Sequence, residues 1–360
     1  MEETNMTPRE NLLHLLRKEG YEEVPVDFSL CPSQEESYRK NEHSSSDYRD
    51  YFQMPWKRLP GLKPDEDFRE QYQKYHQEVG LILEEIDEWG VGHRATASSL
   101  HMTQMYHPLE HAETEEEILA YPLPSYSTEG NPGLREYADR VHSQGLASVG
   151  DMQCTIWETA WYIRGMENLM MDMMSDDPKA EILLDRVTEI AIQRAVLYAQ
   201  AGPDILFLGD DIGMQHSLMM STELYNKWLK PRLKRVIDAA REVKPDLIVF
   251  YHSCGYVEPM IPYLIEAGID VLNPIQPECM DFGEIYQKYG DRLSFHGTIG
   301  TQSIMPFGTP EEVKAQVKKN LDIAGKKGGL FVAPTHLIEP EVPWENILAY
   351  VEACREYTKQ

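Results

Sequence analysis

Leu247-Ile-Val-Phe-Tyr-His-Ser-Cys-Gly255 is the stretch that decides the fold. Four apolar residues follow the turn-like Lys244-Pro-Asp246, which reads as a buried strand. His252 and Cys254 come just past its carboxyl end. Two residues apart, they face the same side of an extended chain. An imidazole and a thiol placed together in this way form half of a metal site.

Working outward, the same pattern repeats. Short apolar runs at Val24–Phe28, Ala147–Gly150, Ile205–Leu208, Val271–Leu272, Leu293–Phe295 and Leu330–Ala333 alternate with helical periodicity. Thr7-Pro8-Arg-Glu10 and Thr309-Pro310-Glu-Glu312 each place Thr at an N-cap, Pro at the first helical position and Glu at N3; Thr114 and Glu117 form a further capping box. Lys179 to Ala201 reads as one long amphipathic helix. Thr222 to Val243 reads as a helix kinked at Pro231. A long acidic helix is expected from Pro64 to about Gly90. Residues 33–65 read as a polar excursion. With one more strand among residues 91–105, eight strands alternate with helices. The expected fold class is α/β, a (β/α)8 TIM barrel with N-terminal additions; an open doubly wound sheet is the second choice. The chain is expected to be a single domain over 1–360, with residues 33–110 as an excursion or lid. No G-x-G-x-x-G or G-x-x-x-x-G-K-[ST] supports nucleotide binding.

The chain has 360 residues, with 34 basic and 60 acidic side chains and a net charge of −26. Such acidity argues against nucleic acid or an anionic membrane as partner. No apolar run of spanning length and no signal-peptide pattern is present, so a cytoplasmic protein is expected. The five cysteines are too scattered for a disulfide framework.

In parallel α/β folds the chemistry collects where strands end. Those positions hold Asp151, Asp210, Asp211, His252, Cys254, Gln276, Glu278, Cys279, His296, Gln302 and His336. Asp210, Asp211 and His296 are the catalytic candidates, for proton donation or substrate orientation. Asp151, Gln276 and Gln302 are candidates for substrate contact. His252 and Cys254, with His336 or Cys279 as the third group, would make a three-ligand zinc site with an open position. Such a site binds and deprotonates a thiol, or polarises an ether oxygen.

The motifs Leu208-Gly-Asp-Asp-Ile-Gly213, Tyr251-His-Ser-Cys-Gly255, Asp270-Val-Leu-Asn-Pro274, Gly297-Thr-Ile-Gly300 and Ala333-Pro-Thr-His336 resemble the uroporphyrinogen decarboxylase superfamily. The resemblance covers roughly residues 200–350 and, more weakly, the N-terminal passage to Phe28. It implies a (β/α)8 barrel and two branches of activity. The decarboxylase branch carries an arginine-rich stretch after its first strand; here Ser29-Leu-Cys-Pro-Ser-Gln34 has no arginine. The methyltransferase branch holds zinc on a His-x-Cys pair and a later Cys. His252 and Cys254 match the pair, and His336 stands where the later Cys is expected. The resemblance therefore implies methyl transfer between a small methylated substrate (ether, amine or thiol) and a cobalamin carried by a corrinoid protein. Decarboxylation of a uroporphyrinogen-like or other carboxylated substrate is the alternative, and a non-catalytic binding protein on this fold the third.

Overall fold

The computed structural model describes residues 6–79, 85–95 and 103–357. Seven parallel strands form its main sheet: β1 (Trp56–Arg58), β2 (Ala147–Gln153), β3 (Ile205–Gly209), β4 (Ile248–His252), β5 (Val271–Asn273), β6 (Ser294–His296) and β7 (Leu330–Phe331). They are hydrogen-bonded in chain order. A doubly wound sheet would reverse order at a switch point; here each strand pairs with the next. Helices fill the connections, among them Leu134–Ser143, Pro178–Ala201, Lys230–Val243, Phe282–Tyr289 and Pro310–Ala324, with Trp344–Glu356 last.

The sheet curls until side chains of its two edge strands touch across the interior. Trp56 of β1 lies 5.1 Å, centroid to centroid, from Phe331 of β7 and 5.5 Å from Phe250 of β4. Phe207 stacks on Phe250 at 5.4 Å. These rings fill the interior as side chains do in a closed barrel. Residues 24–30 occupy the remaining gap. Leu30 bridges in parallel to Ile338, and the Tyr350 hydroxyl donates to the backbone carbonyls of Asp27 or Val332 at 3.0 and 2.9 Å. The expected strand at Val24–Phe28 forms no regular ladder. Pro25 has no N–H to donate, and Asp27 spends its side chain inside the barrel.

Four further expectations are corrected. Residues 33–65 are not an excursion from the core: they carry the helix Pro32–Asn41 and strand β1. Tyr48 and Phe52 pack on Phe28 at 5.7 and 5.2 Å, and all three are buried. Among the described residues, the acidic helix expected from Pro64 to about Gly90 is replaced by Arg69–Tyr72 and a 3₁₀ segment Gln73–Val79; residues 80–84 lie outside the described residues. Asp65 and Asp67 bond to turn groups of Ser127 and Arg69, which ends helical competence there. Among the described residues of 91–105 no eighth barrel strand forms. Gly92–Ala95 and Thr103–Tyr106 pair antiparallel, with Glu85–Ile86, in a separate small sheet; residues 96–102 lie outside the described residues. The helix expected over Thr222 to Val243 is two helices, broken at Leu229, with Pro231 near the start of the second.

Candidate metal and active site

The site sits where β3 and β4 end. Gly209 and Gly213 bracket Asp210-Asp-Ile212, and both are glycine for a steric reason. A Cβ on Gly209 would lie 2.7 Å from the His252 Cβ, and one on Gly213 would lie 2.7 Å from the Cys254 carbonyl oxygen. The two strand ends can therefore lie backbone against side chain. The Asp210 N–H donates to the His252 carbonyl at 3.0 Å, and the Cys254 N–H donates to Asp211 Oδ1 at 2.7 Å.

This crossing brings three ligating groups together. His252 Nε2 is 3.4 Å from Cys254 Sγ and 3.7 Å from Asp211 Oδ1. The ligand atoms of all three lie within 4.8 Å of one another. Bonds of about 2.0 Å to nitrogen and 2.3 Å to sulfur at a tetrahedral angle put two such donors roughly 3.5 Å apart. The two distances from His252 thus match the spacing of donors around a zinc-sized ion. The donor chemistry fits as well. Burial holds the His252 imidazole below its ordinary pKa against the pull of Asp211, the direction that favours the neutral form a ligand needs. Burial and the adjacent Asp211 charge push the Cys254 thiol well up. A cation between them reverses that second cause.

The two aspartates have separate tasks. Asp210 is buried, and its carboxylate accepts the backbone N–H of Ile156 (3.1 Å) and of Glu158 (2.9 Å). It anchors the N-terminus of the helix Trp157–Arg164. Burial and Glu158 push its carboxyl well up, and these N–H groups oppose the shift. With its oxygens so engaged it faces the helix end, while Asp211 faces His252 and Cys254.

The anchored helix carries groups that the strand-end reading missed. Glu158 Oε2 accepts the Asp211 N–H at 3.1 Å, and Oε1 accepts the Tyr162 hydroxyl at 2.9 Å. Burial, then the Asp211 charge, raise the Glu158 carboxyl to about 7. Cys154 lies 3.8 Å from the same hydroxyl. The signal was available in part: Glu158 and Tyr162 lie four residues apart on one face of the helix after β2, and Cys154 stands in the turn that precedes it.

The other expected residues are distributed around this centre. His336 is exposed and lines a cavity of about 550 Å³ at the barrel mouth, with Cys254, Gln276 and Gln302. It is not in the three-residue cluster. Cys279, half-buried in the turn after Gln276, is not in it either. Gln276 is buried and accepts the Gly255 N–H; Gln302 is exposed and accepts from Gln215 Nε2 at 3.2 Å. Asp151 points into the barrel and pairs with Arg58 at 2.6 Å. His296 is buried among Trp56, Phe250 and Phe331, 3.0 Å from Asp27 Oδ2. It is therefore behind His252 rather than at the mouth.

Residues 149–357 match the family described as uroporphyrinogen decarboxylase (URO-D). The chain belongs to that family. A methylated-thiol–coenzyme M methyltransferase of Methanosarcina mazei is 28% identical over 226 residues, 60% of this chain and 55% of that protein. A methylcobamide:CoM methyltransferase of Methanosarcina acetivorans is 22% identical over 98% of this chain and 99% of its own. A uroporphyrinogen decarboxylase of Pseudomonas fluorescens is 25% identical over 52% of this chain and 51% of its own. With the first and third of these, the chain spans only about half the relative's length. A solved structure, a methyltransferase from Methanosarcina mazei, superposes with a TM-score of 0.66 at 19% identity, covering 98% of this chain and 99% of that one. That likeness supports the barrel fold. Among the described residues no helix is long and apolar enough to cross a membrane.

Proposed function

We propose that this chain is a corrinoid-linked methyltransferase. It moves a methyl group between a small methylated substrate or its thiol counterpart and a cobalamin carried by a partner protein, with zinc held by Asp211, His252 and Cys254. The observation that carries the reading is the spacing of those three donors at an open barrel mouth. The names of the methyltransferase relatives agree with it and favour a thiol over an ether or an amine.

Zinc at this position lowers the pKa of a thiol that reaches it. The chain's own residues do the rest. His252 presents a neutral nitrogen, and Asp211 fixes the Cys254 backbone through its 2.7 Å hydrogen bond. Glu158, with its carboxyl raised to about 7, keeps a proton-exchanging group one hydrogen bond from Asp211. Gln276 and Gln302 line the approach. Around the mouth Met214 and Phe307 stand 54% and 79% exposed, an apolar rim suited to a partner that brings its corrinoid face-on.

The decarboxylase reading has less support. The segment Ser29–Gln34 enters the helix Pro32–Asn41 with no cation to hold carboxylates, and Arg58 is already paired with Asp151. The test is spectroscopic. Zinc-loaded protein with methylcobalamin and a panel of small thiols should convert the corrinoid spectrum, and metal-free protein should not. Carbon dioxide release from a carboxylated substrate, with no change in the corrinoid, would reject the proposal.

A further inference from the structure

Four side chains run in line through the barrel interior and end at His252. His296 Nε2 is 3.0 Å from Asp27 Oδ2, His296 Nδ1 is 2.7 Å from Asn273 Nδ2, and Asn273 Oδ1 is 2.6 Å from His252 Nδ1. Asp27, His296 and Asn273 are all buried. The second Asp27 oxygen is held by the Trp56 indole N–H at 2.8 Å.

The proton positions follow from one contact. Asn273 Nδ2 is also 3.2 Å from the His296 backbone carbonyl oxygen. A carbonyl only accepts, so the amide nitrogen must face it and the amide oxygen must face His252. The same NH₂ group donates its other proton to His296 Nδ1, which therefore carries none. His296 Nε2–H then donates to Asp27. At the other end Asn273 Oδ1 only accepts, so His252 Nδ1 carries the proton. The lone pair of neutral His252 is left on Nε2, the atom 3.4 Å from Cys254 Sγ and 3.7 Å from Asp211 Oδ1.

We propose that Asp27, His296 and Asn273 are positioning residues that set the tautomer of His252 and so the affinity of the site for its metal. The inference rests on His252 being a metal ligand. The segment that closes the barrel at Asp27 is thereby connected to the metal site across β5 and β6. An Asn at position 27 can donate to His296 Nε2 as well as accept from it. Once it donates, the proton moves to Nδ1 and opposes the Asn273 NH₂, and the pressure to turn the amide passes to His252.

Two measurements test this on the full chain. In metal-free protein labelled with ¹⁵N-histidine, long-range ¹H–¹⁵N correlations should show His252 as the Nδ1–H tautomer. Asp27→Asn and His296→Gln should mix or invert it, and should weaken zinc binding about 10- to 100-fold in competition with a chromophoric chelator. Phe331→Leu disturbs packing on the same His296 ring but removes no hydrogen bond. It should leave zinc affinity within about twofold, since no polar support of the ligand is lost. An Nε2–H tautomer in the unaltered chain overturns the proposal even if both variants fail to fold. Folded Asp27→Asn and His296→Gln proteins with unaltered affinity overturn it too. If the unaltered chain binds no zinc, the metal reading fails, and the tautomer spectrum still decides the relay.

Discussion

Asp211 Oδ1 accepts the Cys254 N–H at 2.7 Å while lying 3.7 Å from His252 Nε2. One carboxylate thus fixes the backbone of one candidate ligand and faces the ring of another. Asp211→Asn preserves the shape and removes the charge. It should lower zinc affinity at least tenfold with little change in melting temperature. In metal-free protein the Cys254 thiol should titrate lower than in the parent, though still above an ordinary thiol because burial is the larger cause of its shift. Thiolate absorbance against pH, with Cys254→Ser subtracted, reads this directly.

Glu158 predicts a pH dependence of stability. Its carboxyl is raised from 4.5 to about 7 on folding, so between those values the folded chain binds more protons than the unfolded one. Stability of the metal-free protein should therefore fall as pH rises through that window and level off above it. The full effect of this group is on the order of 3 kcal/mol. Glu158→Gln should flatten the slope. Asp210, shifted the same way, leaves a remainder. Denaturant midpoints across the window measure both.

Asp210 is expected to matter for stability before chemistry. Asp210→Ala leaves the Ile156 and Glu158 N–H groups buried without a partner, at a cost of about 2 kcal/mol or more. Calorimetric melting should show the loss in metal-free protein, where no effect on catalysis can enter.

The barrel interior and its rim should respond oppositely. Phe331→Ala empties a fully buried ring site against Trp56 and should cost about 3–5 kcal/mol. Phe307→Ala, at a position 79% exposed, should change stability by less than about 0.5 kcal/mol. It should nevertheless weaken binding of the corrinoid partner, which a pull-down against the purified corrinoid protein or surface plasmon resonance would detect.

The alternation of apolar runs and helices made the barrel legible, because buried parallel strands leave near-continuous Val, Ile, Leu and Phe. The three capping boxes were legible because they are local. Strand β1 was not. Trp56-Lys-Arg58 is short and charged, and its identity comes from Trp56 meeting Phe331, far away in the chain. At the site, His252 and Cys254 were readable from their strand, and Asp211 from its neighbour strand. That Asp211 rather than His336 completes the cluster depends on how the ends of β3 and β4 cross, a spatial fact with no local signature. The support from Asp27 and Asn273 was hidden for the same reason, since each looks locally like an ordinary turn or strand-end residue.

The most direct test of the central claim is X-ray absorption at the zinc edge of the reconstituted, substrate-free protein. A Cys254, His252 and Asp211 donor set predicts one sulfur neighbour at about 2.3 Å and the remaining donors nitrogen or oxygen at about 2.0 Å. Cys254→Ser should remove the sulfur shell. Two sulfur neighbours, or one that survives Cys254→Ser, would contradict the site as built here.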